Sequence, residues 1–348
     1  MRSFDYSFLK SIGIPSMMFG TAMKVGEFRE RNESRRREDP TVYSRMERQA
    51  RFLSIKESNA IEGIVTSDER ISSLVDHDTA PLNHDEMEIA GYRDALEYIH
   101  DNYRSMEIDE KTILELYRMM MSYTDKAYDG YKDRNNVIVE VDQSGKRRVH
   151  FRPLSARETP EAMEQMILSY TEASCDAGIN NLILIPCFIL DFLSIHPFLD
   201  GNGRMSRLLT LLMLYKEGFD VVRYVSFEEK INKLNDQYYR ALSQSSERWM
   251  EGENDYLPFI RYYMDILFLC YRELDRRFIT LQDKKPSKRN RVEAAVKNSL
   301  VPISKKEIIA LLPDISESTV EACLHDMVSS GNIEKIGANR NARYRYRN

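Results

Sequence analysis

Residues 196–207 read His-Pro-Phe-Leu-Asp-Gly-Asn-Gly-Arg-Met-Ser-Arg and leave this chain little freedom in how it folds around them. An apolar segment over 182–193 runs into them, and Leu208, Leu209, Leu211 and Leu212 follow. The pattern predicts a helix ending near Ile195, a turn through Gly201, Asn202 and Gly203, and a second helix opening near Arg204. That arrangement gathers an imidazole, a carboxylate and two guanidinium groups at one helix start. Packing alone does not require such a density of reactive groups.

Each group has its chemistry. Gly201 and Gly203 tolerate positive φ, so successive backbone N–H groups can turn inward as an anion nest, and the helix start behind them adds a positive dipole end. This is a phosphate cradle. Arg204 and Arg207, three residues apart, share one helix face and present guanidinium forks that can clamp a polyphosphate. Asp200 stands one residue before the nest, where a hard oxygen ligand brings Mg²⁺ onto phosphate oxygens. His196, with an ordinary pKa of about 6.5, can take a proton from an attacking hydroxyl at neutral pH. Together the parts describe transfer from a nucleotide. The other common phosphate loop, GxxxxGK[ST], is excluded because no lysine follows the glycines.

The stretch resembles the signature of the Fic family, HxFx(D/E)GNGRxxR, and matches it at every fixed position. The resemblance implies a mainly α fold, with a Fic-type helical core and a β-hairpin flap. It also implies a protein adenylyltransferase, which moves AMP from ATP to a Ser, Thr or Tyr hydroxyl of a protein target while pyrophosphate leaves. On that resemblance His196 is the general base and Asp200 carries Mg²⁺. Gly201, Asn202 and Gly203 hold the α- and β-phosphates, Arg204 lies beside the β-phosphate and Arg207 grips the γ-phosphate. Pro197, Phe198 and Leu199 belong to the same nucleotide-binding loop. Phe192, one helical turn before the histidine, is expected to line the nucleotide pocket, with a core role equally open. Tyr239, in a segment similar to the family's YYxxL, offers an aromatic face to a purine. Where some relatives place an Asn seven residues later, this chain has Ser246, which leaves base selectivity open.

A second motif lies upstream. After Pro40 a helical pattern begins at Thr41, with Val42, Met46, Ala50, Leu53 and Ile61 as its apolar stripe and Gly63 as its C′ residue. Its end, Ser58-Asn59-Ala60-Ile61-Glu62-Gly63, resembles the family's inhibitory motif, [S/T]xxxE[G/N]. The resemblance implies that Ser58, Glu62 and Gly63 are regulatory. Glu62 would reach Arg207 and take the place of the γ-phosphate, since carboxylate and phosphate compete for one guanidinium fork. ATP would then bind with its α-phosphate misaligned. Two other readings use the same residues. One is removal of AMP from the target, alone or alongside addition, with Glu62 orienting water. The other is a DNA-binding regulator in which the core serves as a nucleotide sensor.

Around these motifs, helical periodicity marks 86–102, 108–123, 160–173, 181–195 and 258–277. Between 131 and 153 the period drops to two. Val137, Val139 and Val141 alternate with their neighbours, 142–145 supply a turn, and Val149 and Phe151 return, which predicts a hairpin over about 137–151. By resemblance this is the flap that holds the protein target by strand addition. The likeness at Gly130-Tyr131-Lys132 is looser, an Arg being usual where Lys132 stands. Residues 29–39 are almost wholly charged and read as a solvated helix or a connector.

A length of 348 residues points to about two domains. The expected division is an N-terminal helical region at 1–110 that holds the inhibitory helix (about 41–63), a catalytic core at 111–280, a polar linker at 281–290 and a small winged-helix domain at 291–348. In the last, helices are expected at 291–298, 304–312 and 316–330, with a two-stranded wing at 333–336 and 342–346. Its recognition helix carries Glu317, Glu321 and Asp326 without a Lys or Arg, so phosphates repel that face, whereas Arg340, Arg343, Arg345 and Arg347 make the wing basic. Protein contact or dimerisation is therefore preferred over DNA. A formal net charge of −5 argues against a chain-wide nucleic-acid or membrane surface. Cys175, Cys187, Cys270 and Cys323 form no C-x-x-C pair, so neither a disulfide framework nor a zinc site is expected. With no signal segment and no sufficiently long apolar run, the expectation is a cytoplasmic protein that does not enter membranes. Self-modification and a homodimer stay open.

Overall fold

A computed structural model of the chain describes residues 2–38, 40–76, 79–125, 130–141, 147–282, 287–297, 299, 301–337 and 342–347. It divides into two compact units, one made of Met1–Thr66 and Ile71–Asp275, the other of Ser67–Arg70 and Arg276–Asn348. In chain order the elements up to residue 282 are α1 (Ser16–Glu38), α2 (Pro40–Ile61), α3 (Asp68–Val75), α4 (His84–Asn102), α5 (Glu110–Met121), β1 (Ile138–Val141), β2 (Arg147–Phe151), α6 (Thr159–Ser174), α7 (Asn181–Ile195), α8 (Asn202–Lys216), α9 (Phe227–Lys233), α10 (Asn235–Ser246) and α11 (Leu257–Gln282). Residues 29–38 of the charged run are the end of α1, a surface helix, and Asp39 lies outside the described residues.

The first unit is arranged around α7. From Leu184 to Ile195 every residue of this helix is buried, which is why its sequence shows a continuous apolar run instead of a stripe. Asp191 is the charged exception. Its carboxylate accepts from Tyr6 Oη at 2.8 Å, Trp249 Nε1 at 2.7 Å and Tyr256 Oη at 2.9 Å, so the extreme N-terminal segment and the stretch before α11 are both tied to the central helix. Burial raises the Asp191 pKa, and Arg2 and these donors oppose the rise.

Two helices of the N-terminal half carry residues to the site, and local sequence sets where each one stops or packs. α2 ends in a Schellman motif: Gly63 takes φ +77°, its N–H donates to Ala60 O at 3.0 Å, and Ile64 N–H donates to Asn59 O at 3.1 Å. Glu62 is thereby fixed as the last residue before a left-handed glycine. α4 starts at an Asn83 cap, whose side chain accepts from Glu86 N–H at 2.9 Å. It then presses against α5 at Gly91, where any Cβ would overlap the Met120 carbonyl.

β1 and β2 pair antiparallel, with Val139 opposite Val149, so the expected hairpin strands are present; its turn at 142–145 lies outside the described residues. The second unit continues with α12 (Lys288–Lys297), β3 (Ile303–Ser304), α13 (Lys305–Leu311), α14 (Glu317–Ser329), β4 (Ile333–Ile336) and β5 (Arg343–Tyr346). Val292, Val296, Ile308, Val320, Leu324, Met327 and Ile333 form its core. The sheet has three antiparallel strands in the order β3-β5-β4, one more than the two-stranded wing expected, because β3 is two residues long and carries no periodic signal. Around the expected linker, α11 runs to Gln282 and α12 opens at Lys288, and residues 283–286 lie outside the described residues. The acidic residues of α14 are paired, Glu317 and Glu321 with Lys305 at 2.8 and 2.5 Å and Asp326 with Arg289 at 2.8 Å. Arg343, Arg345 and Arg347 are exposed, while Arg340 lies outside the described residues. Among the described residues no helix is long and apolar enough to cross a membrane, and all four cysteines are free.

Candidate active site

α7 hands over to the motif through a backbone reversal at His196. Its N–H still donates to Phe192 O at 2.9 Å, but the residue itself sits at φ 53°, ψ 61°. A left-handed non-glycine residue costs about 1–2 kcal/mol, and a following proline disfavours it further. The surrounding loop holds it there. Lys132 N–H donates to Pro197 O at 2.8 Å, and Lys132 Nζ donates to Ile195 O at 3.0 Å. Asn202 clips the loop from the other end: Phe198 N–H donates to its Oδ1 at 2.9 Å and its Nδ2 donates to Phe198 O at 2.8 Å. The Phe198 ring stacks on Tyr117 with centroids 3.7 Å apart.

This setting decides the protonation of the imidazole. Burial, and then the Lys132 ammonium, push the His196 pKa down to about 4, against the opposing pull of the Leu193 carbonyl, Glu62 and Asp200. At neutral pH the ring is therefore unprotonated, the state of a proton acceptor. Lys132 is itself lowered to about 8 by burial.

The helix start differs from the expected nest in one respect. α8 begins at Asn202, two residues earlier than the pattern suggested, so Gly201 alone is left-handed, at φ +78°, and Gly203 lies in the first helical turn. Asp200 Oδ1 accepts from Gly201 N–H at 2.7 Å, and the first bond of the turn runs from Met205 N–H to Gly201 O at 2.9 Å. By helix geometry the N–H groups of residues 202–204 point out of the helix start, as an anion site requires. What Gly203 supplies is space: a Cβ there would overlap Glu62 Oε1 and lie 3.3 Å from Arg207 Nη1.

That carboxylate belongs to the end of α2. Arg207 is 3% exposed and makes three hydrogen bonds to this helix end. Its Nε donates to Ser58 Oγ, and its Nη2 donates to both Ser58 O and Glu62 Oε1, all at 2.8 Å. The Ser58 carbonyl is among the last of α2, which have no helical partner of their own, so the cation completes the helix end. Arg204, one turn earlier and 1% exposed, pairs with Glu88 Oε2 of α4 at 2.5 Å.

The other expected residues fall into two groups. Tyr239 stands 46% exposed on α10, edge-on to Tyr238, and both Glu62 and Arg207 act on its hydroxyl. Leu199 and Asp200 are half-buried beside the turn. Phe192, Pro197 and Phe198 are buried, so the two phenylalanines support the loop from the core and present no face to a pocket. The Asn202 side chain is consumed by Phe198, which leaves its backbone N–H for a ligand. Ser246 Oγ turns back onto Leu242 O at 2.7 Å and is not aimed outward. The sequence reading missed Glu88. Its signal was a carboxylate on the buried stripe of α4, in line with Tyr92, Leu96 and Ile99. No group of three or more His, Cys, Asp or Glu residues suited to a metal occurs among the described residues. A single carboxylate, Asp200, fits Mg²⁺ that arrives with phosphate oxygens of its own, since Mg²⁺ commonly takes one or two carboxylates plus substrate phosphates.

Residues 107–214 match the sequence model of the Fic/DOC family. The chain is 31% identical over 100 residues to a Fido domain-containing protein of Dictyostelium discoideum, which covers 28% of this chain and 66% of that one. It is 27% identical over 225 residues to the protein adenylyltransferase Fic of Nematostella vectensis, covering 62% and 46%. The chain thus spans about half to two thirds of the length of these relatives. Among solved structures, a Fic family protein from Desulfovibrio desulfuricans G20 shares the fold with a TM-score of 0.62 over 97% of both chains, at 19% identity. The motif of residues 196–207 lies complete inside the matched segment, so residues 107–214 carry a Fic/DOC family domain, and the likeness of fold extends over nearly the whole length.

Proposed function

We propose that this protein is a Mg²⁺- and ATP-dependent protein adenylyltransferase held inactive by its own α2. The observation that carries this reading is the Glu62 carboxylate, bonded to Arg207 and seated over Gly203 at the start of α8. A carboxylate at that place imitates the terminal phosphate of a nucleotide, because both present oxygens to a guanidinium fork and to helix N–H groups.

In the reaction, a Ser, Thr or Tyr hydroxyl of the protein target attacks the α-phosphorus. His196 takes the hydroxyl proton, the new oxygen–phosphorus bond forms, and the bond from the α-phosphorus to its bridging oxygen breaks as pyrophosphate leaves. The N–H groups of residues 202–204 and the guanidinium groups of Arg204 and Arg207 hold the phosphates in line. Asp200 would hold Mg²⁺, which supplies charge neutralisation on the phosphates. A placed base contributes roughly 10² to 10⁴-fold, and positioning with electrostatics supplies most of the rest. Tyr239 flanks the base, and the β1–β2 hairpin is the flap that takes the target segment. The second unit, read as a winged helix, serves protein contact, since the acids of α14 are already paired within it.

Labelled ATP and Mg²⁺ incubated with wild type, Glu62→Gly and Glu62→Gly/His196→Ala test this directly. Label should appear on protein with Glu62→Gly and vanish in the double variant. Equal incorporation by wild type and Glu62→Gly would overturn the inhibitory role, and no incorporation by any of the three, target present, would overturn the activity.

A further inference from the structure

We propose that Glu88 of α4 is a positioning residue for the nucleotide's second phosphate, acting through Arg204; this rests on the adenylyltransferase reading. Arg204 is a fully buried cation whose three nitrogens are treated unequally. Nη2 meets Glu88 Oε2 at 2.5 Å, whereas Nε and Nη1 are buried without a hydrogen-bond partner. Buried N–H groups left unpaired are costly, and a guanidinium carries five such donors in a rigid plane. Glu88 grips one corner of the plane and so fixes the orientation in which the other two nitrogens are held. Arg204 itself belongs to the first turn of α8, whose start offers the N–H groups of residues 202–204, and an anion with several oxygens can take bonds from both sets. A Cβ built on Gly201 would lie 3.7 Å from Arg204 Nη2, so the left-handed turn and the guanidinium border the same space.

Glu88 is suited to a permanent role. Its side chain is 6% exposed, it sits within α4 close to the point where Gly91 locks that helix against α5, and His84 Nε2 approaches its Oε1 at 2.8 Å. It has no route out of the pair comparable to that of Glu62, whose side chain is 35% exposed at a helix end. Glu88 therefore does not compete with the ligand. It keeps the Arg204 fork turned toward the ligand's place, and without it the buried guanidinium has lost its counter-charge and its orientation.

The test uses full-length protein in the Glu62→Gly background, adding Glu88→Gln or Glu88→Asp, with calorimetric titration of ATP, ADP and AMP and a thermal melt of each variant. AMP lacks the second phosphate, so the ratio of ADP to AMP affinity reads Arg204 placement and not general damage. Glu88→Gln is expected to weaken ADP and ATP by about tenfold while AMP changes by less than about twofold, since a charge-assisted bond is roughly twice as strong as a neutral one. Glu88→Asp, which keeps the charge and serves if the Gln variant fails to fold, should fall between Gln and the parent. Equal loss for AMP and ADP, or unchanged ADP affinity in both variants, would overturn the proposal. Should Glu62→Gly bind ADP yet transfer no label, the adenylyltransferase reading falls, and the ADP-to-AMP ratio still decides whether Glu88 places Arg204.

Discussion

Arg204 and Arg207 stand one turn apart on α8, both buried, and each faces a carboxylate from the N-terminal half of the chain. The resemblance ends there. Glu88 is buried within α4, in a helix held close to its neighbour by a glycine. Glu62 directly follows α2, just before a left-handed glycine, and keeps about a third of its side chain in water. A buried ion pair that loses one partner leaves an uncompensated charge, whereas a partly exposed carboxylate that lets go returns to solvent. The same pairing chemistry thus makes a scaffold in one place and a latch in the other, and burial of the acid is what differs.

His196 extends the comparison to a titratable group buried with no carboxylate bonded to it, and the largest effect is expected there. Its pKa of about 4 lies below the ordinary value near 6.5, so the unfolded chain takes up the proton first as pH falls. Stability should accordingly drop between about pH 6.5 and 4, by about 3 kcal/mol over that window, with nothing lost on this account above it. Denaturant unfolding at pH 7, 6 and 5 measures this, and His196→Asn should flatten the slope. A wild-type slope unchanged by that substitution would mean that other groups carry it.

Next in size is the latch. Glu62→Gln keeps the length of the side chain and removes its charge, and should raise label transfer by roughly tenfold, short of Glu62→Gly, because the neutral amide still bonds Arg207 but less strongly. A Gln variant as silent as wild type would show that filling the space over Gly203, not charge, does the inhibiting. The smallest effect belongs to Ser58→Ala. It deletes the bond from Arg207 Nε at 2.8 Å and leaves the Ser58 carbonyl and Glu62 in place, so basal transfer should rise by only about two- to fivefold. A rise as large as that of Glu62→Gly would move the latch from the carboxylate to the serine.

What was legible in the sequence was what is local in it. Residues 196–207 carry their chemistry within one turn and two helix ends, and Gly63 announces a helix stop by its type alone. The strands over 138–141 and 147–151 showed their period even though they are short. The partners that come from afar were not legible: Glu62 meets Arg207 across 145 residues, and that pairing rested on a family motif and not on pattern. Glu88 had no motif to announce it, and only its place on an apolar stripe marked it as odd. Nothing in the sequence marks the role of Asp191, because its partners Tyr6, Trp249 and Tyr256 lie far away in the chain. Gly203 was misread as a left-handed turn residue because flexibility and lack of a side chain are the same letter. Here the missing Cβ is what matters, since it leaves room for an anion over the helix start.

The most direct test of that last point is a crystal structure of the Glu62→Gly protein with a non-hydrolysable ATP analogue and Mg²⁺. The account predicts a terminal phosphate in the place of the Glu62 carboxylate, bonded to Arg207 Nη2 and lying over Gly203, with the α-phosphorus facing His196. A triphosphate bound elsewhere, or one bound identically in wild type with Glu62 still paired to Arg207, would contradict it.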